Sequence, residues 1–172
     1  MKKIVLLGYM GCGKSTIAQK LSGIIETPYV DLDEYIEKKV KMSIKEIFET
    51  KGEIHFRKLE RTYFLELLNS PDEIIIGLGG GTPCYANNHE LLIGDNVVSI
   101  YLKASIDTLF NRLVINKSKR PLIADKNEEE MKEFIAKHLF DRSFYYNHAR
   151  HKVNVDDKSI EETVNDILNL LA

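Results

Sequence analysis

The amino-acid sequence predicts an α/β fold in which a five-stranded parallel sheet is covered by helices on both faces. Short apolar runs alternate with longer segments of helical periodicity along the chain, the order expected of a parallel sheet. The first apolar run leads directly into a glycine-rich turn, GYMGCGKST at 8–16, and then into a helical stretch. The 172 residues contain no internal repeat and no linker, so we expect one domain, 1–172.

The composition is ordinary for a globular domain and argues against two classes of partner. Hydrophobic residues make up 44% of the chain and charged residues 29%. The net charge of −2 gives no basic field, so nucleic acid is not an expected partner. No apolar run approaches the length of a membrane span, so a membrane is not expected either. The first apolar run is too short for a secretory signal, and two cysteines suggest no disulfide framework, so we expect a cytoplasmic location.

Apolar runs predict five strands, and helical periodicity predicts most of the segments between them. The expected strands are 3–7, 28–33, 73–78, 97–102 and 151–155. The expected helices are 14–26, 34–69 with breaks near 41–42 and at 52, 86–93, 105–116, 128–146 and a last one after 159. Ser43 with Glu46 and Ser159 with Glu162 have the spacing of a capping box. The polar, aperiodic segment 116–127 is predicted to be a mobile loop.

The turn at 8–16 has the spacing GxxxxGK followed by Ser or Thr, filled by Gly8, Gly13, Lys14 and Ser15. Its glycines let successive backbone N–H groups point inward, and the helix N-terminus behind them favours a polyanion. Lys14 adds a mobile charge for the outer phosphates, and the Ser15 hydroxyl is a candidate ligand for magnesium. Because an apolar strand precedes the turn and a helix follows it, we predict a nucleotide-phosphate site rather than a chance turn.

Two aspartates close the second predicted strand, in the sequence DLD. Ligands of open parallel sheets gather at the carboxyl ends of strands, where Asp31 and Asp33 are expected. Alternation along a strand would point them to opposite faces, so that one faces magnesium and the other an acceptor hydroxyl. The alternative is that they merely cap the next helix.

The third strand runs into three consecutive glycines, Gly79, Gly80 and Gly81. A generic ATPase carries an aspartate where its hydrophobic third strand ends, so here Asp31 becomes the candidate metal carboxylate. Three glycines expose backbone N–H groups and allow very close approach of a small ligand. A merely flexible turn is the weaker interpretation, because three glycines cost conformational entropy.

Arginines are the remaining candidates for binding anions. Arg57 lies one helical turn from both Glu53 and Glu60, so a solvated, salt-bridged face is the default interpretation. Arg120, in the aperiodic loop, fits an arginine that closes over a transferring phosphate. Arg142, in RSFYYNHA, fits either a ligand contact or a packed stem with a solvated head.

With these motifs in hand, the chain resembles the shikimate kinase family along nearly its whole length. The likeness rests on GYMGCGKS, DLDEYIE, IFETKGEIHFRKLE, GLGGGTP, the RPL of 120–122 and RSFYYNHA. It implies a three-layer P-loop kinase fold with a helical substrate-binding insertion at about 33–62 and a mobile lid at about 113–127. It also implies Mg²⁺-dependent transfer of the ATP γ-phosphoryl group to the 3-hydroxyl of shikimate, on the route to aromatic amino acids. The expected form is a monomer whose partners are ATP and shikimate.

The resemblance also implies a role for each candidate residue. Asp33 would bind the acceptor hydroxyls, and Glu60 would orient Arg57. The metal would be held by Ser15 and, through water, by Asp31, while Arg112 would stack near adenine. The catalytic set would be Lys14, Asp33 and Arg120. The ATP site would comprise Gly11, Cys12, Gly13, Lys14, Ser15, Thr16, Arg112 and Arg120. The shikimate site would comprise Asp33, Arg57, Gly79, Gly80, Gly81 and Arg142.

The sequence departs from the family pattern at two positions. Phe144 stands two residues after Arg142, where the family usually has proline. Cys12 occupies the phosphate loop, where a small unreactive residue is more usual. Because a helix N-terminus and Lys14 both favour a thiolate, Cys12 is a candidate reactive cysteine that bound ATP would protect. The alternative is an inert thiol packed beneath the loop.

Two other functions compete with this interpretation. Another small-molecule kinase on the same scaffold, such as a gluconate kinase, would share the phosphate loop but would not need FRxxE together with the triple glycine. A catalytically silent nucleotide-binding scaffold would be indicated by loss of Lys14, Asp31 or Asp33, and all three are present.

Overall fold

A computed structural model describes residues 2–117, 120 and 122–172 of the chain. It contains a five-stranded, wholly parallel sheet with the spatial order β2-β3-β1-β4-β5. The strands are β1 (Lys3–Leu7), β2 (Tyr29–Asp31), β3 (Ile74–Gly77), β4 (Val97–Lys103) and β5 (His151–Asn154). The predicted α/β class and the number of strands are therefore confirmed.

Seven α-helices and two 3₁₀ helices connect and cover the strands in the described part of the chain. The α-helices are α1 (Lys14–Ile25), α2 (Leu32–Val40), α3 (Ile44–Thr50), α4 (Glu53–Asn69), α5 (Ile106–Val114), α6 (Glu128–Tyr146) and α7 (Ile160–Leu171). The 3₁₀ helices are Thr82–Cys84 and Asn88–Ile93. None of these described helices is long and apolar enough to cross a membrane.

The central strand β1 positions the phosphate loop. All five of its residues are buried, and it pairs with β3 on one side and β4 on the other, with Leu6 beside Gly77 and Leu7 beside Tyr101. A strand covered on both faces needs a continuous apolar run, which is what KIVLL supplies beyond its first residue. The loop that follows Leu7 therefore leaves the middle of the sheet, between the ends of β3 and β4.

Helix boundaries follow the capping residues. Both predicted capping boxes, Ser43 with Glu46 and Ser159 with Glu162, are present with both reciprocal hydrogen bonds. A third box begins α6, where Asn127 accepts from the Glu130 backbone N–H at 2.8 Å. The same Asn-x-x-Glu spacing stands in the sequence and could have been found there.

The expected strand 28–33 is wrong in its extent, and with it the idea that Asp31 and Asp33 alternate across a strand. The strand ends at Asp31, whose Oδ1 accepts from the Glu34 backbone N–H at 3.0 Å and caps α2. A capped helix N-terminus satisfies a backbone donor that an extended chain would leave open, so the helix begins two residues early. Asp33 consequently lies in the first turn of α2.

Two other expectations about the connections need adjustment. The expected helix 86–93 is wrong in type and extent, because Asn88–Ile93 is a 3₁₀ helix and Ala86 and Asn87 before it have positive φ. The expected loop 116–127 contains residues 118, 119 and 121, which lie outside the described residues. In its described part, the Ile123 and Ala124 N–H groups both donate to the Arg120 carbonyl.

Candidate active site

The phosphate loop closes on the N-terminus of α1 through two glycines in the left-handed region. Gly11 has φ 86° and Gly13, the residue that caps α1, has φ 90°. Side chains other than glycine rarely adopt this conformation, so the loop needs glycine at both places. The loop borders a cavity of about 320 Å³, lined by Tyr9, Met10, Gly11, Cys12, Gly13, Lys14, Ser15, Thr16 and Arg120. The predicted ATP residues other than Arg112 thus surround one space.

Cys12 is packed beneath the loop. Its side chain is buried, and a Cβ atom placed on Gly8 would lie only 2.7 Å from its Sγ. Burial raises the pKa of the Cys12 thiol, and the opposing effect of the nearby Lys14 charge is smaller. The hypothesis of a reactive thiolate is therefore wrong, and the packed, inert alternative describes this cysteine.

We accordingly expect iodoacetamide to leave Cys12 unmodified in the native protein at pH 7.5, with or without ATP. The variant Cys84→Ser removes the other cysteine, so that mass spectrometry reports Cys12 alone. The same variant in guanidinium chloride is the positive control, because unfolding exposes the thiol. Rapid native labelling that ATP suppresses would restore the reactive-cysteine hypothesis.

Asp31 and Ser15 meet at a tyrosine that the sequence analysis did not single out. The Tyr29 hydroxyl donates to Asp31 Oδ2 at 3.3 Å. Burial raises the pKa of Tyr29 to about 12, and the nearby Ser15 side chain opposes this rise. Space for the ring is made by Gly77, where a Cβ atom would lie 2.8 Å from the Tyr29 hydroxyl. The capping role weighed for Asp31 is thus real, while its Oδ2 accepts from the tyrosine that Ser15 adjoins. No local pattern marks Tyr29, because its importance comes from the pairing of β2 with β3.

Asp33 points its carboxylate at the first glycine of the triplet. A Cβ atom on Gly79 would lie 3.3 Å from Oδ1 and 3.4 Å from Oδ2 of Asp33. Oδ1 is buried and has no hydrogen-bond partner among the described residues. Burial, followed by the charges of Asp31 and Glu60, raises the pKa of Asp33 to about 6. A buried carboxylate oxygen without a donor is poised to accept a hydrogen bond from a bound hydroxyl.

Arg57 is held by a buried carboxylate instead of lying on a solvated face. Its Nη1 donates to Glu60 Oε1 at 2.7 Å, with side-chain exposures of 18% for Arg57 and 1% for Glu60. The other carboxylate oxygen of Glu60 accepts from the Thr82 hydroxyl. Glu53 makes only an outer contact, 3.5 Å from Arg57 Nε. The default interpretation of Arg57 is therefore wrong, since an exposed i, i+3 pair would not have a buried partner.

Arg142 is half-buried, and its guanidinium faces both the Tyr9 ring and the glycines. Its guanidinium lies 5.5 Å from the centroid of the Tyr9 ring, and a Cβ atom on Gly80 would lie 3.0 Å from its Nη1. One turn later, the Tyr146 hydroxyl donates to the Gly80 carbonyl at 2.5 Å. Phe144, which replaces the usual proline, is 63% exposed and leaves α6 continuous to Tyr146.

Each glycine of the triplet therefore faces one charged side chain: Gly79 faces Asp33, Gly80 faces Arg142, and Gly81 faces Arg57 at 3.0 Å. What requires glycine here is space, since Gly81 itself has a negative φ. We call the backbone of residues 79–81 the glycine floor. It adjoins the phosphate loop, because a Cβ atom on Gly80 would lie 3.8 Å from the Gly8 carbonyl. One carboxylate and two guanidinium groups around such a floor suit a small anion that carries hydroxyl groups.

The last two arginines approach the phosphate loop from other segments. Arg112, on α5, donates from Nη1 to the Cys12 carbonyl at 2.9 Å and reaches the Gly11 carbonyl at 3.4 Å. Arg120 lines the cavity with its Nη1 4.0 Å from Met10 Sδ, and its Nε is buried without a hydrogen-bond partner among the described residues. Arg112 thus contacts the loop backbone, whereas Arg120 keeps donors free toward the cavity.

A phosphate loop in the middle of a parallel sheet, next to a floor ringed by an acid and two arginines, defines a small-molecule kinase of the P-loop class. Comparison with known proteins specifies the family. Residues 10–172 match the family profile described as "SKI: Shikimate kinase". The chain is 74% identical over 172 residues to a shikimate kinase of Flavobacterium johnsoniae, with complete coverage of both chains. The chain belongs to the shikimate kinase family.

Solved structures agree with this assignment. A shikimate kinase from Bacteroides thetaiotaomicron superposes with a TM-score of 0.90 at 34% identity, covering 99% of this chain and 98% of the other. A shikimate kinase from Acinetobacter baumannii, solved in complex with shikimate, gives a TM-score of 0.85 at 27% identity, covering 99% and 93%. The predicted fold and the resemblance to an ATP-using family of phosphotransferases are confirmed.

Proposed function

We propose that this chain transfers the γ-phosphoryl group of magnesium-bound ATP to the 3-hydroxyl of shikimate. The observation that carries the proposal is the glycine floor, whose three charged neighbours lie beside a complete phosphate loop. The A. baumannii relative, solved with shikimate, supports this choice of acceptor. Phosphoryl transfer needs in-line positioning and neutralisation of charge, and the site supplies groups for both.

The phosphate side of the site binds and neutralises the nucleotide. Lys14 and the loop N–H groups between Gly11 and Thr16 bind the phosphates, and Arg120 approaches the transferring group from the opposite wall of the cavity. Arg112 belongs to the same site. Its hydrogen bonds to the Gly11 and Cys12 carbonyls tie the phosphate loop to the last turn of α5.

The residues near Tyr29 fit a magnesium ion. Magnesium prefers oxygen ligands and keeps several of its waters, and the Ser15 side chain and Asp31 Oδ2 both lie near the Tyr29 hydroxyl at the end of β2. Ser15 would bind the ion directly and Asp31 through water, because the carboxylate already caps α2. When bound, the ion would offset the negative charge of the phosphate oxygens during transfer.

On the acceptor side, Asp33 orients the 3-hydroxyl and takes its proton during the transfer. Arg57 and Arg142 bind the shikimate carboxylate with planar donors, which suit a carboxylate better than a lysine does. The three glycines admit the ring of the acceptor close to the backbone. Helices α2 and α3 with the start of α4, about 33–62, form the substrate-binding insertion of this proposal.

The remaining expectations stay part of the proposal. A lid at about 113–127 closes over the site and excludes water, the competing acceptor. It includes Arg120, the end of α5, and residues 118, 119 and 121, which lie outside the described residues. We further propose that the protein acts as a cytoplasmic monomer.

Binding of the acceptor carboxylate can be tested by replacing Arg57 or Arg142. For Arg142→Ala and Arg57→Ala we expect the KM for shikimate to rise about 10- to 100-fold, because a hydrogen bond to a charged group contributes about 1.5–3 kcal/mol. The KM for ATP should stay within about twofold, because the carboxylate is remote from the nucleotide. Arg57→Lys should recover only part of the loss. A coupled assay of ADP release measures all of these constants.

Two controls make the result specific. Arg150→Ala removes an exposed arginine that donates to the Ile93 and Gly94 carbonyls, and it should behave as wild type. Shikimate methyl ester lacks the charge, so the wild type should discriminate strongly against it, and each alanine variant, which keeps one arginine, should discriminate less. If the wild type and both alanine variants discriminate equally between shikimate and its ester, neither arginine binds the carboxylate. Gluconate as the acceptor in the same assay tests the alternative that the protein is a gluconate kinase. If no acceptor stimulates ADP release, the protein is a catalytically silent nucleotide-binding scaffold.

A further inference from the structure

Arg57 is stacked on an aromatic ring that belongs to neither the phosphate loop nor the glycine floor. The Tyr85 ring centroid lies 3.9 Å from Arg57 Cζ, the shortest cation–aromatic distance among the described residues. Tyr85 follows the first 3₁₀ helix, Thr82–Cys84, and is 40% exposed. A planar guanidinium favours stacking on an aromatic face, and at this distance the two groups are in direct contact.

The same short segment contacts the Arg57–Glu60 pair at three points. Gly81 leaves room for the guanidinium, the Thr82 hydroxyl donates to Glu60, and the Tyr85 ring covers Arg57. These contacts differ in what they fix. The bond from Nη1 to Glu60 anchors one nitrogen, but the guanidinium plane can still tilt about that anchor. Stacking on a ring fixes the plane itself.

A cavity borders both Arg57 and the Tyr85 ring. A cavity of about 430 Å³ is lined by Glu53, Ile54, Arg57, Lys58, Tyr85 and Ala86. Glu53 is half exposed and lies 3.5 Å from Arg57 Nε, so it offers the guanidinium a competing partner within that cavity. Without the ring, Arg57 could turn from Gly81 toward Glu53 while keeping its bond to Glu60.

We propose that Tyr85 is a positioning residue for the acceptor carboxylate, and that its ring keeps the Arg57 guanidinium facing the glycine floor. The inference rests on the proposed function, because it gives Arg57 a carboxylate to bind. Two-pronged recognition of a carboxylate depends on the orientation of the guanidinium plane, so a tilt weakens binding even when the charge stays in place. The hydroxyl of Tyr85 has no part in this role; the ring is the active feature.

The test compares Tyr85→Leu with Tyr85→Phe, which keeps the ring. We expect Tyr85→Leu to raise the KM and the Kd for shikimate about 3- to 10-fold, while kcat and the KM for ATP change less than about twofold. Tyr85→Phe should match the wild type. With shikimate methyl ester, Tyr85→Leu and wild type should have the same KM, because the effect passes through the carboxylate. Tyr85→Met, which is flexible and close in volume, provides a second variant without a ring if Tyr85→Leu folds poorly.

Unchanged shikimate binding in a folded variant without the ring would overturn the inference. So would an equal loss for shikimate and its ester, which would indicate a general disturbance of the acceptor site. Failure of the proposed function would give a different result: the wild type itself would show no shikimate-dependent ADP release. That result would overturn the inference as well.

Discussion

Replacement of Asp33 by asparagine is expected to lower kcat about 10²- to 10⁴-fold and, at pH 8, to raise the free energy of unfolding. The loss of activity follows from the proposed role, since an amide can orient the acceptor hydroxyl but cannot take its proton. In the wild type, kcat/KM for shikimate should fall as the pH drops through about 6, where Asp33 takes up a proton in the free protein. If Asp33 had an ordinary aspartate pKa, this fall in kcat/KM would occur near pH 4 instead.

The gain in stability follows from the same raised pKa. Asp33 has a pKa of about 6 in the folded protein and near 3.8 in the unfolded chain, so the folded state binds its proton more tightly. Well below pH 4 the group is protonated in both states and costs nothing. As the pH rises from about 4 to 6 the unfolded state gains the advantage of ionisation, and above 6 the full cost remains. That cost is about 2 kcal/mol, allowing for partial contact with solvent.

Denaturant unfolding at pH 8 and pH 4 measures this effect. Asp33→Asn should be more stable than wild type at pH 8 by about 2 kcal/mol, and most of this difference should be lost at pH 4. Asp31→Asn is the contrasting variant. Asparagine caps a helix about as well as aspartate, and the variant removes only the smaller, Asp31 contribution to the raised pKa of Asp33, so its gain in stability at pH 8 should be well below that of Asp33→Asn. Wild-type kcat in Asp33→Asn, or an equal gain in stability at both pH values, would contradict the assignment.

Lys14→Ala is expected to lower kcat about 10²- to 10³-fold with little change in stability. Lys14 is the first residue of α1 and faces the phosphate cavity, so its charge acts where charge moves during transfer. Alanine is also a good helix former, which preserves α1. The Lys14 charge lowers the pKa of Asp33, so this variant should also shift the acid limb of kcat/KM to higher pH.

Lys20→Ala is the matched control for Lys14→Ala. Lys20 lies on the same helix and pairs with Glu161 at the surface, at 2.6 Å, so its loss should leave kcat unchanged. ADP release and thermal unfolding of both variants separate lost chemistry from lost fold. A folded Lys14→Ala protein with wild-type kcat would exclude the proposed role of the phosphate loop in transfer.

How far the sequence predicts the site depends on whether a residue's role is local. Lys14 and Ser15 were predictable because the glycine spacing fixes the loop within a few residues of itself. Arg57 was not, because an i, i+3 pair with Glu60 has the same spacing whether it is solvated or buried. The buried carboxylate of Glu60 also accepts from the Thr82 hydroxyl, 22 residues further along the chain, and the local spacing carries no sign of this contact.

Asp33 and Cys12 show two further limits of local patterns. The alternation expected at DLD assumed an extended chain, but Asp31 Oδ1 accepts from the Glu34 backbone N–H and caps a helix that begins at Leu32. Proximity to Lys14 and to a helix N-terminus suggested a thiolate at Cys12, but burial outweighs both effects. In each case a tertiary or capping contact reversed a conclusion that was sound for an isolated segment.

The glycine floor has a consequence for inhibitors and for resistance to them. A methyl group on any of the three glycines would intrude on Asp33, Arg142 or Arg57, the groups that the proposed reaction needs. A substitution that reshapes this surface therefore presses on a group that the proposed reaction needs. An inhibitor that contacts only the glycine floor and its three charged neighbours would select for variants that also bind the substrate poorly. An inhibitor that also contacts the exposed Ile54 could be evaded by substitution of Ile54 without loss of substrate binding.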